Sequence, residues 1–409
     1  MTAPTQAPEL APQTNAHIDP AAQVADAGFV PVQTRSERPR SFDPDDFGAP
    51  TGREVNWKHT PVAQLKPLFT PADGAAGITR TVSHEQYLAA PLAHGTAPRG
   101  EFFVPEDVVS AIAWQGAAEA VHVRIPNEEE LAEPIVVTLH GTGGRADDHV
   151  VIEAGRHSVA TVVLQHTGTA QYAQNVEIIV RDGAKLKVIS VQRWDDEAIH
   201  ASAHQARVDR DAELTHIVVS LGGGIVRVNP SVELAGTGSH GYLYGLSFAD
   251  SGQHLESQVY LHHKGAHTTG DVLYKGALHG ASARSVWIGD VLIGPDATGT
   301  DSYEANRNLV LTEGARADSI PNLEIETGDI AGAGHASATG RFDDEQLFYL
   351  QARGISEEEA RRLVVFGFLT EIVQRIGIPS LQDELVDALE GELAAVTAES
   401  ALSSRGEAK

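Results

Sequence analysis

Nineteen histidines and no cysteine set the chemistry open to this chain. Without sulfur there is no thiolate nucleophile, no disulfide, no thiolate zinc site and no iron-sulfur cluster held by the chain's own cysteines. Imidazole and carboxylate are left. The densest imidazole group is His254, His262, His263, His267 and His279, with His200 and His204 as a second pair. Along a strand only alternate residues share a face, so His262 and His263 should point apart. No Glu-x-x-His or His-Glu-x-x-His context accompanies the group, so packed and surface histidines explain it better than a dedicated metal site. His335 stands apart because its neighbours Gly334, Ala336, Ser337 and Ala338 are too small to hide it. An accessible histidine is most often a plain surface residue, and position is the one reason to raise this one.

Asp195 with Asp196, and Asp290 with Asp296 and Asp301, are the carboxylates that could serve a hydrolase as general acid and base. They would have to face each other across a groove. Gly141-Thr142-Gly143-Gly144 after His140 has the look of a phosphate or oxyanion loop, but the Lys-Ser/Thr pair of a Walker loop and a Gly-x-Ser-x-Gly elbow are both missing. A turn between strands is the better reading. Gly222-Gly223-Gly224 reads as a loop and Glu128-Glu129-Glu130 as a solvated acidic turn. The balance of 30 basic against 56 acidic residues, a net charge of -26 over 409 residues, argues against sequence-independent binding to nucleic acid or anionic lipid. No apolar run spans a bilayer and no basic-then-apolar leader opens the chain, which predicts a cytoplasmic protein.

The elements that must hold these groups change character along the chain. Residues 1–50 are rich in Pro, Ala, Gln and Thr and read as a disordered tail. Residues 51–118 read as a small, partly helical N-terminal domain, anchored by Trp57 and with a short helix from Val108 to Gln115 opened by Pro105-Glu106-Asp107. From 119 to 340 short apolar runs such as Ile135–Leu139, Val159–Leu164, Val176–Val180 and Lys185–Val191 predict strands without crossover helices. A small-residue corner recurs at Gly183, Asp211, Gly265, Gly280, Asp296 and Gly314, with Gly238 between the second and third. Steps near 27 residues that shorten to 15, 16 and 18 suit the coils of a parallel β-helix, with other all-β folds still open on pattern alone.

Residues 341–397 turn helical. Asp343 can cap a helix from Glu345 to Ala352 that Gly354 ends, and Ser356-Glu357-Glu358-Glu359 is a capping box for a second that stops before Gly377 and Pro379. A third follows from Ser380 to about Val396, amphipathic through Leu381, Leu385, Leu389 and Leu393, with 398–409 as a tail. The middle of the second helix, Leu363 to Leu369, is apolar on every side, which calls for a partner protein or complete burial.

Several motifs resemble the SufB/SufD family of the SUF iron-sulfur assembly system. They are Asn306-Arg307-Asn308-Leu309, Pro321-Asn322-Leu323-Glu324-Ile325, His335-Ala336-Ser337-Ala338-Thr339-Gly340 and Asp344-Glu345-Gln346-Leu347-Phe348-Tyr349-Leu350, supported upstream by Leu273–Leu278 and Ala283–Gly289. The resemblance implies a mainly β fold, a right-handed parallel β-helix with helical ends. It also implies a non-catalytic scaffold role, with ATP hydrolysed by a partner. The absence of cysteine aligns the chain with the SufD members, so the implied complex has one SufB, paired through the β-helix, and two copies of the ATPase SufC. The helical surface for SufC would comprise Arg353, Gly354, Glu359, Ala360, Leu363, Phe366, Gly367 and Phe368. His335 falls on the family histidine thought to meet a nascent cluster at the SufB interface, so the implied cofactor is a transient iron-sulfur cluster shared with SufB and none held alone. Reduced flavin in the assembled complex is the remaining cofactor candidate. Some relatives carry a cysteine just before this histidine, and here Ala333 and Gly334 stand in its place. The competing reading is a cytoplasmic β-helix hydrolase using the paired carboxylates.

Overall fold

The computed structural model describes residues 38–72, 76–341 and 344–406. β1 (Ile78–Val82), β2 (Leu92–Ala93), α1 (Val108–Gly116) and β3 (Glu119–Ile125) precede two long strands, β4 (Ile135–Ala154) and β5 (Val159–Val180). Shorter strands then come in pairs: β6 (Lys185–Trp194) with β7 (Ile199–Val208), β8 (Glu213–Ser220) with β9 (Ile225–Leu234), and β10 (His240–Ala249) with β11 (His254–His263). β12 (Thr269–Leu278) with β13 (Arg284–Ile293), β14 (Thr300–Val310) with β15 (Arg316–Ile325), and β16 (Ile330–Gly340) complete the series. Each strand pairs in parallel with its counterpart one coil away, so β6, β8, β10, β12, β14 and β16 form one wall and β7, β9, β11, β13 and β15 the other. β4 and β5 bend through the corner and serve both walls. This is a parallel β-helix of about eight turns.

Inward positions stack in registered ladders. On one wall Ile178, Ala206, Val232, Leu261 and Val291 lie one above the next. Such ladders bury a continuous aliphatic column that no coil could bury alone. Paired residues are 26 to 32 apart in sequence, so the coils do not shorten along the chain. The shrinking steps expected from the corner residues arise from two interleaved corners: Gly183, Asp211, Gly238, Gly265 and Asp296 precede one wall, whereas Gly280 and Gly314 precede the other. The corner backbone is left-handed at Gly183, where a Cβ would sit 2.2 Å from His157 Nδ1. Asp211 and His267 adopt the same conformation, which gives His267 a turn role.

Each wall also has a clothed outer face. On the β6–β16 wall, Ile189, Ile217, Val219, Leu246 and Phe248 meet α3 (Glu357–Ile376) and α4 (Pro379–Gly406) through Val365, Leu369, Ile372, Val373, Ile376, Leu381, Leu385, Leu389 and Leu393. Ser356 caps α3 by accepting from the Glu359 amide, and Gly377 closes it in the left-handed conformation. α4 continues to Gly406, past the end assigned to it from sequence. α2 (Asp344–Gln351) precedes them, and the proposed cap Asp343 lies outside the described residues.

The opposite wall carries the N-terminal segment. Trp57, Leu65 and Leu68 pack with Val108, Val109 and Ile112 of α1 onto Ala173, Ala201 and Ile225, and Asp107 caps α1 by accepting from Ser110. Residues 38–50, expected to be part of a disordered tail, are held here as well. Arg40 donates to Gln205, Ser41 to the Pro105 carbonyl, and Phe42 lies 4.7 Å from Trp114. Their polar residues find partners on the wall, which offsets the scarcity of apolar side chains.

Candidate functional site

One inward ladder ends in a pair of ionisable groups at the open end of the coil stack. It runs Ile135, Val162, Val188, His216, Leu243, Val272, Glu304, His335, the last two being directly paired rungs of β14 and β16. The stack is apolar through most of its length and turns ionisable where it ends. β16 has no further strand beyond it among the described residues, and the inward residues of β15 are only half-buried while those of β16 are largely exposed. Small residues keep the end open, as the sequence led us to expect. His335 is 46% exposed while the Glu304 side chain beneath it is 0% exposed, with Nδ1 and Oε1 3.8 Å apart.

Glu304 is chemically unusual. Neither carboxyl oxygen makes a hydrogen bond of normal geometry, the Asn322 backbone amide being the polar group that comes nearest to serving it, and Trp287 Nε1 and the Tyr274 hydroxyl in the same interior also lack a partner. Burial, aided by the nearby negative charge of Asp290, raises its pKa to about 8, and the Asn322 amide offsets this only in part. Gly289 makes room for it, since a Cβ there would lie 2.4 Å from Oε2. At neutral pH the group is a largely protonated acid facing an exposed imidazole. Sequence reasoning missed Glu304, since nothing marks it until the register places it under His335.

The other histidines are occupied in packing. His263 points inward to Thr268 and Ser302 at 2.8 and 2.9 Å, His262 points outward beside Tyr260, and His254 donates to the Glu256 carboxylate at 2.9 Å. His279 meets Asp250, His200 meets the Trp194 indole, and His204 is paired with His216 at 2.9 Å. Among the described residues no three His, Asp or Glu side chains converge on a point where a metal could sit. Asp195 and Asp196 are tied to Thr169 and Gln253 at a corner. Asp290 faces outward on β13 against Asn322, Asp301 faces outward on β14 of the other wall, and Asp296 occupies a corner. These acids do not oppose one another across a groove. Gly143 and Gly144 form the bend inside β4, and Gly222-Gly223-Gly224 links β8 to β9.

The helical surface divides in two. Ala360 is buried, Phe366 and Phe368 lean on the solenoid, and Lys275 reaches the Phe368 carbonyl at 3.0 Å and the Glu371 carboxylate. The apolar centre of α3 is therefore covered largely by its own chain. Leu363, Gly367, Glu359 (paired with Arg362) and Arg353 (stacked on Tyr349) face outward, with Gly354 in the left-handed turn. Phe348 at 73% and Tyr349 at 56% exposure extend this surface beyond the residues expected from sequence.

The family model described as "SUF system FeS cluster assembly, SufBD core domain" matches residues 137–368, from β4 into α3 and across both Glu304 and His335. The chain belongs to the SufBD family. A Mycobacterium bovis iron-sulfur cluster assembly SufBD family protein is 47% identical over 363 residues, covering 86% of this chain and 91% of its own length. The Escherichia coli iron-sulfur cluster assembly protein SufD is 24% identical over 384 residues, 83% of this chain and 88% of its own. A second M. bovis SufBD family protein is 27% identical over 201 residues, 49% of this chain and 24% of its own length. No helix among the described residues is long and apolar enough to cross a membrane.

Proposed function

We propose that this SufBD family member is a cytoplasmic scaffold subunit of the SUF assembly machinery. It pairs with a SufB-type subunit through the end of its β-helix, docks the ATPase SufC on its C-terminal helices, and presents His335 to a transient cluster at the first of these surfaces. The observation that carries the reading is the unfinished end of the solenoid: β15 and β16 offer open strand edges and half-buried to exposed inward side chains, with Ile325 at 43% exposure. Open edges of this kind invite continuation by another chain. Two SufBD family proteins of different length in M. bovis supply the precedent for two kinds of subunit. The helical surface of Phe348, Tyr349 and Leu363 is the second contact, and hydrolysis of ATP falls to SufC.

The test is co-purification of the tagged chain with untagged SufB and SufC from its own organism. A stable three-protein complex is the expected result, and cluster reconstitution on it should fail for His335→Ala. Recovery of the chain alone would overturn the scaffold reading. Unchanged cluster yield with His335→Ala would remove the histidine's role and leave the scaffold in place.

A further inference from the structure

We propose that Glu304 and His335 together form a half-site for one divalent transition-metal ion, ferrous iron in the working protein, with the remaining coordination positions left to water, sulfide or a partner subunit. The proposal rests on the reading of His335 as a cluster-facing group and adds to it a ligand from the chain's own interior.

The pairing is built in by the fold. Glu304 and His335 are opposite one another in the β14–β16 register, so their side chains project in the same direction from neighbouring rungs. Two ligands each about 2.1 Å from a shared ion stand no more than about 4 Å apart. Nδ1 and Oε1 are 3.8 Å apart, within that limit. The carboxyl group reaches inward at 0% exposure with no side-chain partner and only the Asn322 backbone amide to stabilise its charge, a costly state for a buried polar group. Five of the six rungs below are aliphatic, so the fold does not need a carboxylate at this level of the ladder. Gly289 on the opposite wall leaves the space a larger residue would take from the carboxyl group. One oxygen ligand and one imidazole form a mixed hard and borderline donor set suited to divalent iron, cobalt or manganese. The exposed side of His335 gives the ion an entry path and leaves room for ligands from outside.

Cobalt(II) is the probe, because its visible ligand-field bands report coordination without activity. The full-length chain should bind one cobalt ion with those bands, and Glu304→Gln and His335→Ala should each weaken binding at least tenfold. Glu304→Asp, which keeps the carboxylate on a shorter stem, should retain partial binding. Near-ultraviolet circular dichroism matching wild type would assign the losses to the site. If Glu304→Gln titrates like wild type, or the wild-type chain binds no cobalt, the half-site is wrong. Cluster reconstitution with SufB and SufC separates this from the proposed function. A Glu304→Gln chain with wild-type cobalt binding beside a His335→Ala chain that fails in assembly would sink the half-site alone. The reverse pattern, cobalt binding lost in both variants with assembly intact, would sink the role of His335 alone.

Discussion

Burial governs the charge state of the inward histidines. His166 and His216 are pushed down to about 4 and His263 to about 3, in each case chiefly by loss of solvent, while His200 and His204 are also held low. A histidine whose folded pKa lies below its unfolded value leaves the native state unable to take up a proton that the unfolded chain accepts. Stability is therefore full above about pH 6.5 and lost as pH falls toward 4, on the order of 3 kcal/mol for a residue such as His216. Thermal unfolding between pH 7 and pH 4.5 should show a steep fall in Tm, and His216→Gln should flatten part of it. An unchanged slope in that variant would mean that His216 titrates freely. These histidines were conspicuous in the sequence, yet their roles were not, because inward or outward orientation depends on strand phase, which a run such as His262-His263 leaves undefined.

At the scale of elements, the N-terminal segment is fixed to the wall by a buried charge network. Arg227 is paired with Asp107 at 2.8 Å and Glu256 at 3.1 Å and lies 4.2 Å from the centre of the Trp57 ring. Glu256 also accepts from Thr60 and Gln258, and it is held near pKa 2 against its burial by His254, Arg227 and Gln258. Arg227→Met would remove the buried cation shared by the two carboxylates and should cost about 3–5 kcal/mol. Urea denaturation would measure the loss, and chymotrypsin should then cut near Trp57 in the variant before the core unfolds. On the other wall, Leu363→Asp should weaken capture of SufC while moving Tm little, because Leu363 points away from the solenoid. A large fall in Tm would instead show that Leu363 belongs to the core. The helices were legible from the chain because their signals are local: Ser356, Gly377 and the leucines at 381, 385, 389 and 393 each act within a turn or two. The strands were legible as strands, but their register was not. Coil length varies by several residues, so Glu304 could not be placed beneath His335 by counting.

At the scale of the whole molecule, a stack of coils is nearly one-dimensional, each turn touching only its neighbours. The segment from Arg38 to Ala72 crosses that stack. Ala72 bonds to Asp147 on β4, Arg40 to Gln205 on β7, Asn56 to Arg227 on β9 and to Gln258 on β11, and His59 lies 3.9 Å from Asp318 on β15. A structure of neighbour contacts alone would be free to melt coil by coil from its open end. With one chain segment stitched across most of the turns, loss of any coil also strains contacts with coils far from it. The stitch should convert gradual fraying into a single cooperative transition. A chain lacking residues 1–72 should therefore unfold in broadened or separate steps, with a calorimetric enthalpy exceeding the van't Hoff value, whereas the intact chain should melt once.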